Sequence, residues 1–320
     1  MGGVTPVLNV EKMKTNILRK IFNLFLKRRI DKYLDKKVIE ILTQNFKHYH
    51  YSTLWDDAIV KGETRILKCL EKDLLFYCSI DSILDKMIFT SEFENEEIFF
   101  INSFLKQGDQ FIDIGANSGL FTIYAAKRVG NKGRVFAFEP TDTTYKKLCD
   151  NIDLNRFSNT IAHQLAVSSK NEEIEFYSLS EGYDAWNSPA KPIINKTSKV
   201  LNVKAIQIDR MNEVGIIFND SALVKIDVEG WELQVLKGGI TCFNDEKSPT
   251  LMIEFADEHA RNAGASCREL YSFLQSLGYN LYKFDKQKNE LVEVPNEDYY
   301  YENIIAAKNI DSVNERLKMP

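Results

Sequence analysis

Apolar and polar positions change their rhythm along the chain near residue 91. Up to about residue 90 the text reads mostly as helices and short connections. In "NEEIFFINSFLKQGD" (95–109) the apolar residues Ile98, Phe99, Ile101 and Leu105 recur at helical spacing, and "QGD" stops the helix before the strand "QFIDI". Leu120, Phe121, Tyr124 and Ala125 fit one face of a helix that ends near Gly130. "GRVFAFEP" (133–140) is a buried strand ended by Pro140, "TYKKLCDNIDLN" (144–155) a helix, and "IAHQLAVS" (161–168) another strand. This β–α–β–α–β order implies a parallel sheet with right-handed crossovers.

"EEIEFYSL" and "KVLNVKAIQI" alternate like two antiparallel strands joined by the polar stretch "SEGYDAWNSPAKPIINKTS" (180–198). A connection of that length reads either as a lid, with Trp186 covering a ligand, or as a disordered segment. The pattern closes with a strand "ALVKIDV" (222–228), a helix over 232–238, a strand "TLMIEFA" (250–256), a helix "CRELYSFLQSLG" (267–278) and strands at "YNLYKFD" and "ENIIAAK". The fold class expected is α/β: a Rossmann-like, seven-stranded, mostly parallel sheet with helices on both faces. It occupies residues 91–310, after a helical N-terminal extension (1–90) and before a C-terminal tail (311–320).

Composition adds little until charge is mapped. With 44% hydrophobic and 27% charged residues the chain is of ordinary globular type, and a net charge of −5 argues against nucleic acid as its main partner. Residues 11–37 stand apart, with ten Lys or Arg against three acids. There Ile17, Leu18, Ile21, Phe22, Leu24 and Phe25 form an apolar stripe among Arg19, Lys20, Lys27 and Arg28. Such a helix lies on an anionic membrane surface or packs on the main domain, and the pattern does not separate the two. Charges interrupt the apolar part, so a cleaved secretory signal is not expected, and no apolar run reaches the roughly 20 residues that cross a bilayer. Cys69, Cys78, Cys149, Cys242 and Cys267 show no CxxC pair and an odd count, which suits free thiols in a cytoplasmic protein, membrane-associated through 11–37 on the first reading.

The chemistry centres on the first strand–helix turn of the sheet, where ligands of open parallel sheets bind. Here it reads "DIGANSG" (113–119). Gly115 allows a sharp exit from the strand, Gly119 a close helix start, and the backbone between them can approach a ligand. The carboxylate of Asp113 repels phosphates and suits a cationic ligand. The following strand ends at Glu139, twenty residues beyond Gly119, where an acidic side chain grips ribose hydroxyls. The spacing G-x-x-x-G departs from the dinucleotide fingerprint. Ribose plus a positively charged group points to S-adenosylmethionine rather than NAD.

"FIDIGANSGLFT", "VFAFEP" and "LVKIDVEGWELQVLKGG" together resemble the FkbM-type methyltransferases, a branch of the class I S-adenosylmethionine-dependent enzymes. The resemblance covers about residues 90–310 and is most specific at "KIDVEGWE" (225–232). It implies that Asp113, Gly115, Asn117 and Gly119 meet the methionine and ribose end of the cofactor and Glu139 the ribose hydroxyls. It also implies that "LAVS" (165–168), with Ala166, closes the adenine side through backbone groups, and that "FEN" at Glu94 matches the family pattern without a mechanism. The implied reaction is methyl transfer to an oxygen of a sugar, a glycan precursor or a related small metabolite. A non-catalytic S-adenosylmethionine-binding module and an NAD-dependent oxidoreductase are the alternatives.

Three carboxylates are expected at the mouth of the cleft: Asp227 and Glu229 after the fourth strand and Glu254 near the end of the fifth. Asp227 is the first candidate for contacting the acceptor or removing its proton, and Glu254 the second. Glu229 alternatively caps the next helix, and Glu254 alternatively pairs with Lys225 across adjacent strands. Trp231 walls the pocket or fills core, and His259 is a reserve base. No metal is assigned: paired carboxylates suit magnesium, but no third clear ligand is visible in the sequence.

Overall fold

The computed structural model describes residues 36–179, 182–192, 198–216, 218, 222–245, 248–293 and 301–319. The basic stripe of 17–28 lies outside them, as do residues 180–181 and 193–197 of the long connection. No described helix is long and apolar enough to cross a membrane, and all five cysteines are free thiols.

The chain divides into two compact units, one of residues up to 80 with 85–92, the other of 81–84 with 93–320. In the first, helix α1 (Lys36–Val60) is followed by a hairpin of β1 (Arg65–Glu71) and β2 (Leu74–Ser79), then by α2 (Ile83–Thr90). The hairpin corrects the expectation of helices up to residue 90. "LLFYCS" carries period-2 burial and pairs with "RILKCLE" around a turn in which Asp73 takes a left-handed φ of 63°, and the alternation decides for strand. Buried Lys68 donates from Nζ to the Phe89 carbonyl (2.8 Å) and lies 3.3 Å from the centre of the Tyr51 ring, so its charge is compensated within this unit.

The second unit is a doubly wound sheet. Helix α3 (Asn95–Phe104) leads into β3 (Gln110–Ile114), α4 (Leu120–Val129), β4 (Arg134–Phe138), α5 (Asp142–Leu154) and β5 (Thr160–His163). A small second sheet follows, of β6 (Ala166–Val167), β7 (Glu172–Leu179) and β8 (Ser198–Ile206), ordered β6-β8-β7. Return to the main sheet is through β9 (Ala222–Ile226), α6 (Glu232–Lys237), α7 (Ile240–Asn244), β10 (Thr250–Phe255), α8 (Asp257–Asn262) and α9 (Cys267–Ser276). The chain closes with β11 (Asn280–Asp285), β12 (Glu290–Glu293), β13 (Glu302–Ala307) and α10 (Ile310–Lys318).

The main sheet runs β12-β11-β13-β10-β9-β3-β4-β5, parallel from β10 to β5 and antiparallel at the other edge. It holds eight strands, one more than expected. The extra strand, β12, folds back on β11 through a turn whose Gln287 and Lys288 N–H groups donate to Oδ1 of Asp285. "IAHQLAVS" is not one strand: β5 stays in the main sheet and β6 joins the small one. The expected tail is helix α10, capped by Asn309 and anchored by Val313 and Leu317, which are four residues apart and both buried.

Strand alternation sorts the core. Ile112, Ile114, Phe136, Phe138, Val224, Ile226, Leu251 and Ile253 pack with α6 and α9 on one face. Phe111, Val135, Leu223 and Met252 pack with α3, α4 and α10 on the other. Asp113, Lys225, Asp227 and Glu254 share the parity of that second set, so their side chains gather on its side, near the carboxyl ends of the strands.

Candidate functional site

A cleft opens where β3, β4 and β9 end. Its floor is Gly115 and Asn117. Phe138, Glu139 and Pro140 form one wall, and Leu165, Ala166, Val167 and Phe176 an apolar flank. Asp227, Val228, Glu229 and Trp231 close the far side, and Asp184, Ala185, Asn187 and Pro189 of the long connection lean over it. Strand order reverses between β3 and β9, so the cleft sits at the switch point of the sheet.

The floor is shaped by the protein's own backbone. A β-carbon on Gly115, whose φ is +84°, would fall on the carbonyl of Asp227, and one on Gly119 (φ +91°) would stand 2.7 Å from Cδ1 of Leu148 in α5. These glycines thus seat the strand exit and the helix start closely against neighbouring segments, and Gly115 also lines the cleft. Asn117, at φ 49°, turns its side-chain oxygen back to the N–H of Ser118 (2.7 Å).

Asp113 and Gly119 are not among the lining residues. Asp113 is fully buried beneath the loop; its Oδ2 accepts from the Thr122 hydroxyl (2.6 Å) and its Oδ1 has no hydrogen-bond partner among the described residues. Burial raises its carboxyl above the usual range, against the pull of Lys225. Asp113 thus lies beneath the loop, within the field of Lys225.

Glu139 stands at the tip of β4, 6% exposed. Its Oε1 accepts from Thr141 twice, from the backbone N–H (3.0 Å) and the hydroxyl (2.7 Å). Burial pushes its carboxyl up to about 7, against those bonds and one from the Asn117 N–H. Ala166 lines the cleft from β6, as expected of "LAVS".

The carboxylates of the far side are held by one cation. Lys225 is buried, with Nζ 2.6 Å from Oδ2 of Asp227 and 4.6 Å from the centre of the Phe121 ring. Burial works against its charge, but Asp227, Glu94 and Asp113 together hold its ammonium above the ordinary value. Its ion-pair partner is thus Asp227, two residues on along the same face, and not Glu254. Glu94, which the sequence left without a role, belongs to this group: it takes an αL conformation (φ 38°) before α3, and its Oε2 is buried without a hydrogen-bond partner. Burial pushes Glu94 up to about 8, with Lys225 pulling back and Asp227, Glu97 and Glu229 adding to the rise.

The loop "DVEGW" (227–231) aims the remaining acid. Glu229 is a non-glycine residue at φ 55°, followed by Gly230 at φ 98°, where a β-carbon would strike the His259 carbonyl. Glu229 does not cap the next helix; Glu232 braces the loop ahead of it, its Oε1 accepting from the N–H groups of Val228 (3.0 Å) and Gly230 (3.2 Å). Glu229 is thereby left facing the cleft, and its Oε2 lies 2.6 Å from Nδ1 of His259. That carboxylate raises the imidazole above its ordinary value, while burial raises Glu229 itself. Glu254 is 2% exposed, beside Asp227 and Glu229, and its carboxyl is pushed well above the usual range by burial and by those two acids.

Two groups fix the approach to the cleft. Ser188 donates from Oγ to the Glu229 carbonyl (2.8 Å), strapping the long connection to the far wall. Trp231 donates from Nε1 to Ser168 (3.1 Å) and packs against the core as well as lining the cleft, so both roles considered for it hold. Trp186 does not line the cleft; it stacks beside Tyr183.

A parallel sheet with a glycine turn, a strand-end acid and a cleft at its switch point defines a nucleotide-cofactor α/β protein. The family model "Methyltransferase FkbM domain" matches residues 113–281, more than half of the chain. The chain belongs to the FkbM methyltransferase family, whose members use S-adenosylmethionine. "Methyltransferase 1" of Beauveria bassiana is 28% identical over 168 residues, which are 46% of this chain and 66% of that protein. "Hexuronic acid methyltransferase AglP" of Haloferax volcanii is 31% identical over 138 residues, 42% of this chain and 51% of that protein. The match thus spans between half and two thirds of these relatives. M. jannaschii TYW2 in complex with AdoMet is similar at 17% identity over 76% of this chain and 84% of that one, with a TM-score of 0.40, too slight a likeness to argue from.

Proposed function

We propose that this protein is an S-adenosylmethionine-dependent methyltransferase acting on a hydroxyl of a carbohydrate or related small metabolite. The observation that carries the reading is one cleft with a buried carboxylate, Glu139, at one end and the Asp227–Glu229 pair at the other. The residues fit the cofactor. Glu139 keeps an oxygen beyond Thr141 for a ribose diol, and Phe138, Leu165, Ala166, Val167 and Phe176 offer an apolar slot for a flat base. The acids at the far end suit a positively charged group. The bound cofactor supplies a methyl group already activated on sulfur.

What remains for the chain is positioning and proton removal. Lys225 holds Asp227 in place, and Asp227, lining the cleft, accepts the proton of an acceptor hydroxyl. Ser188 keeps the long connection over the cleft and so limits water. The hexuronic acid methyltransferase among the relatives supports a sugar as acceptor. The test is release of S-adenosylhomocysteine on incubation with S-adenosylmethionine and a panel of hydroxylated sugars and uronic acids. One or more acceptors are expected to give turnover, with Asp227→Asn lowering kcat by about 10²–10⁴ and weakening cofactor affinity far less. Turnover by Asp227→Asn at the wild-type rate would remove Asp227 from the reaction.

A further inference from the structure

We infer that Glu229, Glu254 and His259 form a binding site for one first-row divalent cation, of the manganese or zinc class, beside the proposed acceptor end of the cleft. Three elements bring them together: the β9–α6 loop, the end of β10 and helix α8. One ligand atom from each lies within 4.8 Å of the other two. Three of their buried side-chain atoms, Oε2 of Glu229, Oε2 of Glu254 and Nδ1 of His259, have no hydrogen-bond partner among the described residues. Nδ1 of His259 and Oε2 of Glu229 lie 2.6 Å apart as an ion pair, which leaves Oε2 of Glu254 as the atom with nothing to meet.

Buried polar atoms are ordinarily satisfied; His259 and Glu229 face each other as an ion pair, but Oε2 of Glu254 has no partner among the described residues and calls for one. Glu254 is decisive, since it is 2% exposed, makes no ion pair among the described residues, and keeps that oxygen unpartnered although its side chain also meets the Tyr301 hydroxyl. A divalent cation satisfies all three at once and neutralises the two carboxylates. The donor set selects its class: an imidazole beside carboxylates suits manganese, iron or zinc, whereas magnesium favours oxygen alone. Three protein ligands leave coordination positions open, the arrangement of sites that act on a bound molecule. The strained φ of Glu229 adds to this, because it holds in place the one residue shared by cleft and cluster. His259 supplies the third ligand that the sequence did not reveal.

The role of such a cation rests on the methyl-transfer reading: an acceptor hydroxyl bound to it would lose its proton more readily to Asp227. The site itself does not depend on that reading. The experiment uses the full chain, stripped with chelator and titrated with Mn²⁺ alone, read by electron paramagnetic resonance, and in parallel with Zn²⁺ alone. S-adenosylhomocysteine binding is measured separately on the same samples, so that loss of the metal site and loss of the cofactor site are told apart. One Mn²⁺ per chain is expected, with nitrogen coupling from an imidazole in the wild-type spectrum. Affinity should fall at least about tenfold in Glu254→Gln and in His259→Ala, a change of about 1.4 kcal/mol, while S-adenosylhomocysteine still binds. Absence of stoichiometric binding of either metal, a Mn²⁺ spectrum without nitrogen coupling, or wild-type affinity in both variants would overturn the site.

Discussion

The backbone carbonyl of Asp227 occupies the place where a β-carbon on Gly115 would stand. Two strand ends, β3 and β9, are thereby locked together through a contact that glycine alone permits, and the floor of the cleft depends on it. Gly115→Ala adds a steric conflict with backbone to a left-handed φ. The expected cost is on the order of 3 kcal/mol. For a domain of this size that lowers Tm by roughly 6–12 °C. Thermal denaturation followed by circular dichroism checks it; a Tm within a degree or two of wild type would show that the loop moves aside freely.

Lys225 is the buried counter-charge for Asp227, with Glu94 and Asp113 also in its field. Replacing it by Met keeps the volume but strands the acids. Removing one partner of a buried ion pair costs about 3–5 kcal/mol, so Lys225→Met is expected to lower the urea midpoint sharply. The double variant Lys225→Met/Asp227→Asn should recover part of the loss. A double variant no more stable than the single one would dissociate the two residues.

Glu139 gives a pH dependence with a definite sign. Its folded pKa, about 7, stands above the 4.5 of a free glutamate, so the folded protein keeps a proton that the unfolded chain has released. This group's contribution to stability is therefore full below about 4.5 and is lost as pH rises through about 7. Ligand binding runs the other way, because a diol is held by the ionised carboxylate. Affinity for S-adenosylhomocysteine is expected to fall as pH drops below about 7, approaching tenfold per unit. Calorimetric titrations between pH 5.5 and 8.5 test this, with Glu139→Gln expected to flatten the profile.

Much of this was legible in the sequence, for identifiable reasons. The parallel strands β3, β4, β9 and β10 are continuous apolar runs ended by Gly, Pro or acid, a signal local to a few residues. The antiparallel pairing of β7 and β8 was carried by their alternation. Glu139 could be placed at the cleft from spacing, and Ala166 from the family resemblance. What was hidden depended on local geometry that the residue pattern does not carry. Lys225 pairs with Asp227 because alternate residues share a face, Glu232 braces the loop before its helix, and His259 meets Glu229 through two left-handed residues in the "DVEGW" loop. Glu94 was visible only as a short pattern, since Lys225, Asp227 and Glu229 around it lie more than 130 residues away and only Glu97 is near along the chain. The β1–β2 hairpin was missed because its turn, "EKD", carries no glycine.

The central claim is that the cleft between the tip of β4 and the 227–231 loop holds the adenosyl cofactor through Glu139. Isothermal titration of the full chain with S-adenosylhomocysteine tests it most directly. One site per chain is expected, with Glu139→Ala weakening binding by at least about tenfold, as loss of a charged hydrogen-bond partner implies. No binding to the wild-type protein, or equal affinity in Glu139→Ala, would contradict the account.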